Sequence, residues 1–166
     1  MGKRILTCIL SLFFYGIISI TFNFWLAPLS CLALDYNKEI LVDSDFSGRD
    51  LTDSSFTKAN LKQSNFSKSN LRGVSFFASN LESVNFTDAD LTNATLDSAR
   101  LVKANLTNAV LEGAFAANAK FDGAIIDGAD FTDVLLRDDE QAKLCKVAKG
   151  TNPKTGRDTR ETLMCF

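Results

Sequence analysis

A large apolar residue stands at every fifth position of this chain from Leu41 to Leu136. The spacing is clear in residues 51–76, LTDSSFTKANLKQSNFSKSNLRGVSF, where leucine and phenylalanine alternate. We call the residue at each of these positions the centre of a five-residue unit. Only one centre, Ala116, is small, and a second set of mostly small residues lies two positions before each centre. The centres are Leu41, Phe46, Leu51, Phe56, Leu61, Phe66, Leu71, Phe76, Leu81, Phe86, Leu91, Leu96, Leu101, Leu106, Leu111, Ala116, Phe121, Ile126, Phe131 and Leu136.

Neither regular secondary structure explains a period of five. Five residues advance an α-helix by about 500°, so successive centres would not form a stripe on one face. In a β-strand an odd spacing sends alternate centres to opposite faces of the sheet. The chain must therefore turn a corner every five residues and return each centre to one interior, which predicts a solenoid.

Nineteen consecutive five-residue units, from residue 44 to 138, keep this spacing, and many follow the pattern A-(D/N)-L-x-x, as in ANLKQ, SNLRG, ADLTN, ANLTN and ADFTD. This pattern resembles that of the pentapeptide-repeat proteins, and the resemblance covers about residues 41–138. It implies an all-β fold, a right-handed quadrilateral β-helix with four pentads in each of about five coils. In that fold the centre and the residue two before it point inward.

The four-sided geometry predicts how the core is built. Residues twenty apart should stack on the same side, about 4.8 Å apart along the axis. We expect Phe46, Phe66 and Phe86 to form one column and Phe56 and Phe76 the opposite one, with leucines on the other two sides. These residues are predicted to form the core and to have no role in a site. The outward Asn and Asp are interpreted as solvating and corner hydrogen-bonding groups, rather than as calcium ligands or glycosylation sites.

Composition argues against several classes of function. The chain has no histidine, which removes the commonest general base and a common zinc ligand. Its net charge is −2, whereas a nucleic-acid-binding protein usually carries an excess of basic residues. We therefore predict no catalytic, cofactor-binding or metal-binding residue, no nucleic-acid partner and no enzyme activity.

The N-terminus is typical of an export signal. Lys3 and Arg4 are followed by thirty uncharged residues that end before Asp35. We predict cleavage after Ala33, so that the protein meets the membrane only through this segment and only before cleavage. The run is also long enough to span a bilayer, so a retained anchor is one alternative. Lipid attachment at Cys31 is another.

Removal of the signal would leave two cysteines, Cys145 and Cys165, an even count in an exported protein. Their spacing leaves both a disulfide and two free thiols open. A zinc site is disfavoured because two thiolates without histidine leave the metal two ligands short.

Four apolar residues, Val110, Phe115, Ile125 and Leu135, occupy positions that should face outward. Such a cluster indicates either a partner or a cover, so these residues form a predicted capping or interaction patch. The following segment, RDDEQAKLCKVA, predicts a helix near 138–149, with acidic residues at its start and lysines at its end. We expect this helix to cap the last coil and to cover Phe115 and Leu135.

The predicted organisation has four parts. Residues 1–33 are the signal, 34–43 a lead-in, 44–138 the β-helix, and 139–166 a short helix with a disulfide-closed tail.

The tail extends the resemblance. LCKVAKGTNPKTGRDTRETLMC resembles the C-terminal segment of cyanobacterial and chloroplast thylakoid-lumen pentapeptide-repeat proteins, which carry a paired cysteine there. The resemblance implies that Cys145 and Cys165 are bridged and that the protein resides in the thylakoid lumen or periplasm, and the short leader fits a cyanobacterial version. It implies no reaction.

The function predicted from the sequence is that of an exported, non-catalytic interaction or scaffold protein, whose protein partner and oligomeric state the sequence does not identify. The first alternative is a redox-regulated lumenal protein that uses the Cys145 and Cys165 pair. The second is a DNA mimic that inhibits gyrase.

Overall fold

The computed structural model describes residues 34–165 of the 166-residue chain. The predicted signal segment, residues 1–33, and its cleavage site lie outside the described residues. Within residues 34–165, no helix has the length and apolar character needed to cross a membrane.

The chain winds as a four-sided solenoid with twenty residues in each coil. Every fifth residue from Asp35 to Phe115 pairs in parallel with the residue twenty positions further on, so that the last pair joins Phe115 and Leu135. The expected lead-in over residues 34–43 is wrong, because Asp35 already pairs with Ser55 and Ile40 with Asn60. These residues form the start of the first coil.

The outward residues of these pairs define the four sides of the solenoid. The first side carries Asp35, Ser55, Ser75, Thr95, Phe115 and Leu135; the second Ile40, Asn60, Asn80, Arg100 and Lys120; the third Asp45, Asn65, Asn85, Asn105 and Ile125; the fourth Asp50, Asn70, Asp90, Val110 and Asp130.

Backbone hydrogen bonds join each coil to the next in a fixed pattern. The N–H of each centre donates to the carbonyl nineteen residues on, as Leu51 does to Asn70 at 2.9 Å, and Asn70 N–H returns a bond to Arg49 O at 2.9 Å. Nearly every corner between sides places one residue at positive φ. At Gly73 a side chain would also collide with Asp53, because an added Cβ would lie 2.3 Å from Asp53 Oδ1.

The core is confirmed as predicted in its aromatic part. Phe56, Phe66, Phe76 and Phe86 are fully buried. Rings twenty residues apart stack, with centroids 5.3 Å apart for Phe56 and Phe76 and 5.4 Å for Phe66 and Phe86. Rings from the two opposite columns meet edge to face across the interior, as Phe66 and Phe76 do at 5.6 Å. The interior of the coils up to Phe86 is therefore filled by favourable aromatic geometry both along and across the solenoid.

Two short helices follow the last coil. Helix α1 spans Asp138–Cys145 and is shorter than the predicted 138–149, because the chain turns at Lys146 and Val147. Helix α2 spans Thr159–Thr162. Its start is capped by the Asp158 carboxylate, which accepts a hydrogen bond from Arg160 N–H at 2.8 Å.

Candidate functional site: the C-terminal cap and the outward apolar residues

The tail, residues 138–165, takes the place of a further coil on three sides. In the repeating pattern, the N–H of Phe121 would donate to a backbone carbonyl of the next coil. It donates instead to Glu140 Oε2 at 3.4 Å. Gly128 N–H donates to Lys149 O at 2.9 Å, and Phe131 N–H to Thr162 Oγ1 at 3.1 Å. The tail thus supplies acceptors to the open end of the solenoid, where unpaired donors would otherwise be costly.

Glu140 anchors α1 over the second side. Its side chain is only 1% exposed, and Oε1 accepts hydrogen bonds from Lys120 Nζ at 3.1 Å and Lys143 Nζ at 2.9 Å. Burial raises the pKa of Glu140, but the hydrogen bonds from the two lysines outweigh it and hold the pKa below its ordinary value. The carboxylate is therefore ionised and paired at neutral pH.

Asn152 fixes the middle of the tail against the coils. The residue is fully buried, and its Nδ2 lies 2.8 Å from Gly128 O, 3.1 Å from Asn108 O and 3.2 Å from Ala109 O. Its Oδ1 accepts the N–H of Lys154 at 2.9 Å. One amide side chain therefore organises its own loop and joins that loop to two successive coils.

Two basic side chains clamp the same loop to the fourth side. Arg157 Nε donates to Asp130 Oδ2 at 2.7 Å, and the same guanidinium also pairs with Glu112. Lys154 Nζ lies 2.8 Å from Asp90 Oδ2. Partial burial raises the pKa of Asp90, but hydrogen bonds, with that from Lys154 the largest, outweigh it and lower the pKa to about 2.

The structure joins Cys145 and Cys165 by a disulfide, with Cα atoms 5.5 Å apart. The bond links the end of α1 to the chain just after α2, and both cysteines are half-buried. A shallow cleft of about 500 Å³ borders the two cysteines. It is lined by Asp138, Gln141, Ala142, Cys145, Lys146, Arg160, Met164 and Cys165.

The expected cover over the apolar patch is wrong. Phe115 and Leu135 stay 44% and 53% exposed on the first side, and Ile125 is 50% exposed on the third. The reason is the path of α1, whose Glu140 lies over the second side. Val110 differs from the other three, because it is buried on the fourth side, where the tail loop docks.

The outward Asn and Asp residues make the predicted backbone bonds. Asp90 Oδ1 accepts the N–H of Thr92 at 3.1 Å, and the amides also bond between coils, as Asn85 Nδ2 does to Asn65 Oδ1 at 3.1 Å. Among residues 34–165 no group of three or more histidine, cysteine, aspartate or glutamate residues is placed to hold a metal ion.

Sequence reasoning missed the polar anchors of the tail. The sequence places Glu140 among the acidic residues at the start of the predicted helix, and it assigns no role to Asn152 or Arg157. A signal for Asn152 is present in TNPKTG, because Asn before Pro and Gly favours a loop built on the Asn side chain. No comparable sequence signal predicts the ion-pair partners of Glu140 or Arg157, because those partners are set by how the preceding coils stack.

Comparison with known proteins agrees with this architecture. Residues 33–106 match the family model described as "Pentapeptide repeat region", and residues 99–138 match "Pentapeptide repeats (8 copies)". The chain is similar to the crystal structure of a pentapeptide repeat protein from the Arabidopsis thaliana thylakoid lumen, with 46% identity and a TM-score of 0.77. That likeness covers 78% of this chain and 90% of the other.

Two further relatives are more distant or shorter matches. A pentapeptide repeat protein from Nostoc is 29% identical, with a TM-score of 0.51, over 62% of this chain and 84% of the other. The thylakoid lumenal 15 kDa protein 1 of Arabidopsis thaliana is 64% identical over 36 residues, which are 22% of this chain and 16% of that relative. The matched segment thus spans less than a fifth of that relative's length.

These matches define a class of β-solenoid proteins, and the chain belongs to the pentapeptide-repeat family. Within that family it is related to proteins of the thylakoid lumen. The solved relatives support the right-handed β-helix that the sequence predicts.

Proposed function

We propose that this protein is an exported, non-catalytic interaction module or scaffold of the thylakoid lumen or periplasm. The observation that carries the proposal is the similarity to the Arabidopsis lumenal protein, which extends over 90% of that chain. The predicted export signal supports the same location. A rigid solenoid with polar sides presents a large fixed surface, which suits binding more than chemistry.

The surface of residues 34–165 supports the non-catalytic part of the proposal. Three of the carboxylates with shifted pKa values, Glu140, Asp90 and Asp130, are engaged in ion pairs that hold the tail. Their altered pKa values are therefore explained by structural pairing, which is a common cause of such shifts.

Localisation and binding are tested together. The protein, tagged at its C-terminus, should appear in the soluble lumenal or periplasmic fraction without residues 1–33. Crosslinking there should recover a defined protein complex. An intact chain in the cytosol, or a protein that crosslinks to nothing in the exported fraction, would contradict the proposal.

A second candidate function is redox regulation through Cys145 and Cys165. The observation that favours it is the position of the disulfide, half-buried beside an open cleft. Exposed disulfides tend to be more easily reduced than buried structural ones. A midpoint potential above about −300 mV would support this role, and a lower one would assign the bond to stability alone.

The DNA-mimic alternative lacks a supporting surface. Acidic side chains are interleaved with basic ones, as in the chain of ion pairs from Lys62 through Glu82 to Arg100. A mimic of the phosphate backbone needs an unbroken negative stripe.

A further inference from the structure

On the first side the tail supplies no replacement partner. On the third side it serves Gly128 N–H, although Ile126 N–H and Ala124 O also lack partners among residues 34–165. By the repeating pattern, the residue twenty beyond Leu135 would accept a hydrogen bond from Leu136 N–H and donate one to Val134 O, as Leu135 itself does with Ala116 and Ala114. Among residues 34–165 neither group has a partner. The last coil therefore ends on the first side in an open strand edge with one donor and one acceptor.

The same side becomes apolar where the open edge lies. In the earlier coils it carries Ser55, Ser75 and Thr95, and in the last two it carries Phe115 and Leu135. These two residues are paired across the ladder and lie about half exposed. An edge with unpaired backbone groups and an apolar column beside it is a template for a further strand.

The charges around this edge are mainly negative. Asp133 and Asp138 flank Leu135 in the chain, are exposed, and form no ion pair among residues 34–165. Arg137 is the nearest basic residue in the sequence, and its guanidinium is held by Asp139 at 2.6 Å. An incoming segment with basic residues would therefore be favoured over an acidic one.

We propose that the first side, at Val134–Leu136, binds an extended segment of a partner protein as an added β-strand. The partner residue opposite Leu135 accepts from Leu136 N–H and donates to Val134 O, and its apolar side chain continues the column of Phe115 and Leu135. Basic residues on either side of it meet Asp133 and Asp138. Strand addition to an open edge is a general mode of peptide recognition. The proposal rests on the proposed interaction function and assigns its site.

The test uses the full chain and a labelled nine-residue peptide, KKTVFVTKK, as the probe. Binding is measured by fluorescence anisotropy. We expect Leu135→Ser and Phe115→Ser each to weaken binding at least tenfold. Ile125→Ser is the matched control, because Ile125 is equally exposed at the same end of the solenoid but lies on the third side, where Ile126 is only 1% exposed and the edge is covered. It should bind as the unmodified chain does.

A second probe tests the backbone bonds. The same peptide with N-methyl groups on its alternate amides keeps its side chains and loses strand pairing, so it should not bind. Hydrogen exchange at the Leu136 amide should slow when the unmethylated peptide is added. Circular dichroism on each variant checks that the solenoid is intact, and the methylated peptide needs no variant at all.

Several results would overturn the proposal. They are no binding of the peptide at millimolar concentration, equal loss for Ile125→Ser and Leu135→Ser, equal binding of the methylated peptide, or a Leu136 amide already protected in the chain alone. Crosslinking of the Leu135→Ser variant in the exported fraction separates the two claims. If it recovers the same complex as the unmodified chain, the edge proposal fails and the interaction function stands.

Discussion

The central coils, residues 51–90, and the tail, residues 138–165, satisfy backbone groups in different ways. In the central coils the N–H of each inward large residue donates to the carbonyl nineteen residues on, and the same bond recurs every five residues. In the tail a carboxylate, a carbonyl and a hydroxyl, from Glu140, Lys149 and Thr162, each serve one donor. The central coils are stabilised by one hydrogen-bonding pattern repeated many times. The tail is held by individual polar contacts, none of which is repeated elsewhere in it.

This difference predicts two kinds of failure. Damage to the central coils should lower the free energy of unfolding of the whole solenoid, because stacked columns run through it. Loss of one tail contact should lower the protection of nearby amides from hydrogen exchange. The rest of the tail should keep its protection, because the other polar contacts still hold it.

Two adjacent phenylalanines give the largest contrast. Phe76→Ala removes a fully buried ring that stacks on Phe56 at 5.3 Å and meets Phe86 at 5.7 Å. It should lower the free energy of unfolding by about 3–5 kcal/mol, measured by denaturant titration. Phe77→Ala is the control, because Phe77 is 39% exposed, and it should change stability by less than about 1 kcal/mol. Equal effects would contradict the inward and outward assignment.

Loss of the disulfide should loosen the tail and leave the coils unaffected. Reduction, or Cys145→Ser with Cys165→Ser, removes a link that closes a loop of about twenty residues. That link is worth about 3 kcal/mol on the chain-entropy model. Hydrogen exchange should rise in residues 138–165 and stay unchanged in residues 51–90. Because Asn152 and Arg157 still hold the loop, we expect the tail to remain docked.

Asn152→Ala tests the polar anchor directly. It leaves the carbonyls of Asn108, Ala109 and Gly128 without the buried Nδ2 donor, at a cost of about 1–3 kcal/mol. Protection of the Gly128 amide should fall with it. Glu161→Ala, an exposed change on α2, is the control and should leave that amide unaffected. A normal Gly128 amide in Asn152→Ala would show that the clamps of Lys154 and Arg157 suffice.

The smallest expected effect is a loss of tail protection in acid, below pH 4. The pKa of Asp90 is lowered to about 2, so its ion pair with Lys154 is present above the unfolded value near 4 and is lost as pH falls toward 2. Tail protection should therefore be constant from pH 7 to pH 5 and should fall below pH 4. Lys154→Gln should remove the part of that acid dependence that comes from Asp90, while the pairs of Glu140 and Asp130, whose pKa values are also lowered, should keep the rest. A loss of protection between pH 7 and pH 5 would contradict the assigned pairing.

The sequence predicted the part of the molecule that repeats. The period of five and the spacing of twenty were enough to place Phe56 over Phe76 and Phe66 over Phe86, because the same geometry applies at every coil. It also predicted which cysteines meet, through the resemblance of the tail.

The path of the tail was not predictable in the same way. Helical spacing suggested a cover over Phe115 and Leu135, but α1 is fixed over the second side by the ion pair between buried Glu140 and part-exposed Lys120. A buried acidic residue has no periodic signature in the sequence. The end of α1 at Cys145 likewise depends on tertiary contacts, which local propensity does not contain.

The clamps of the tail also constrain how this gene can change length. Lys154 reaches Asp90 and Arg157 reaches Asp130, residues forty apart on one side, so the tail requires two successive coils in the correct phase. Duplication or loss of twenty residues before Asp90 would keep every column and leave these partners in place. Loss of a single pentad between Asp90 and Asp130 would turn one partner a quarter of the way around the tube. Insertions and deletions in this protein's evolution should therefore comprise whole coils of twenty residues.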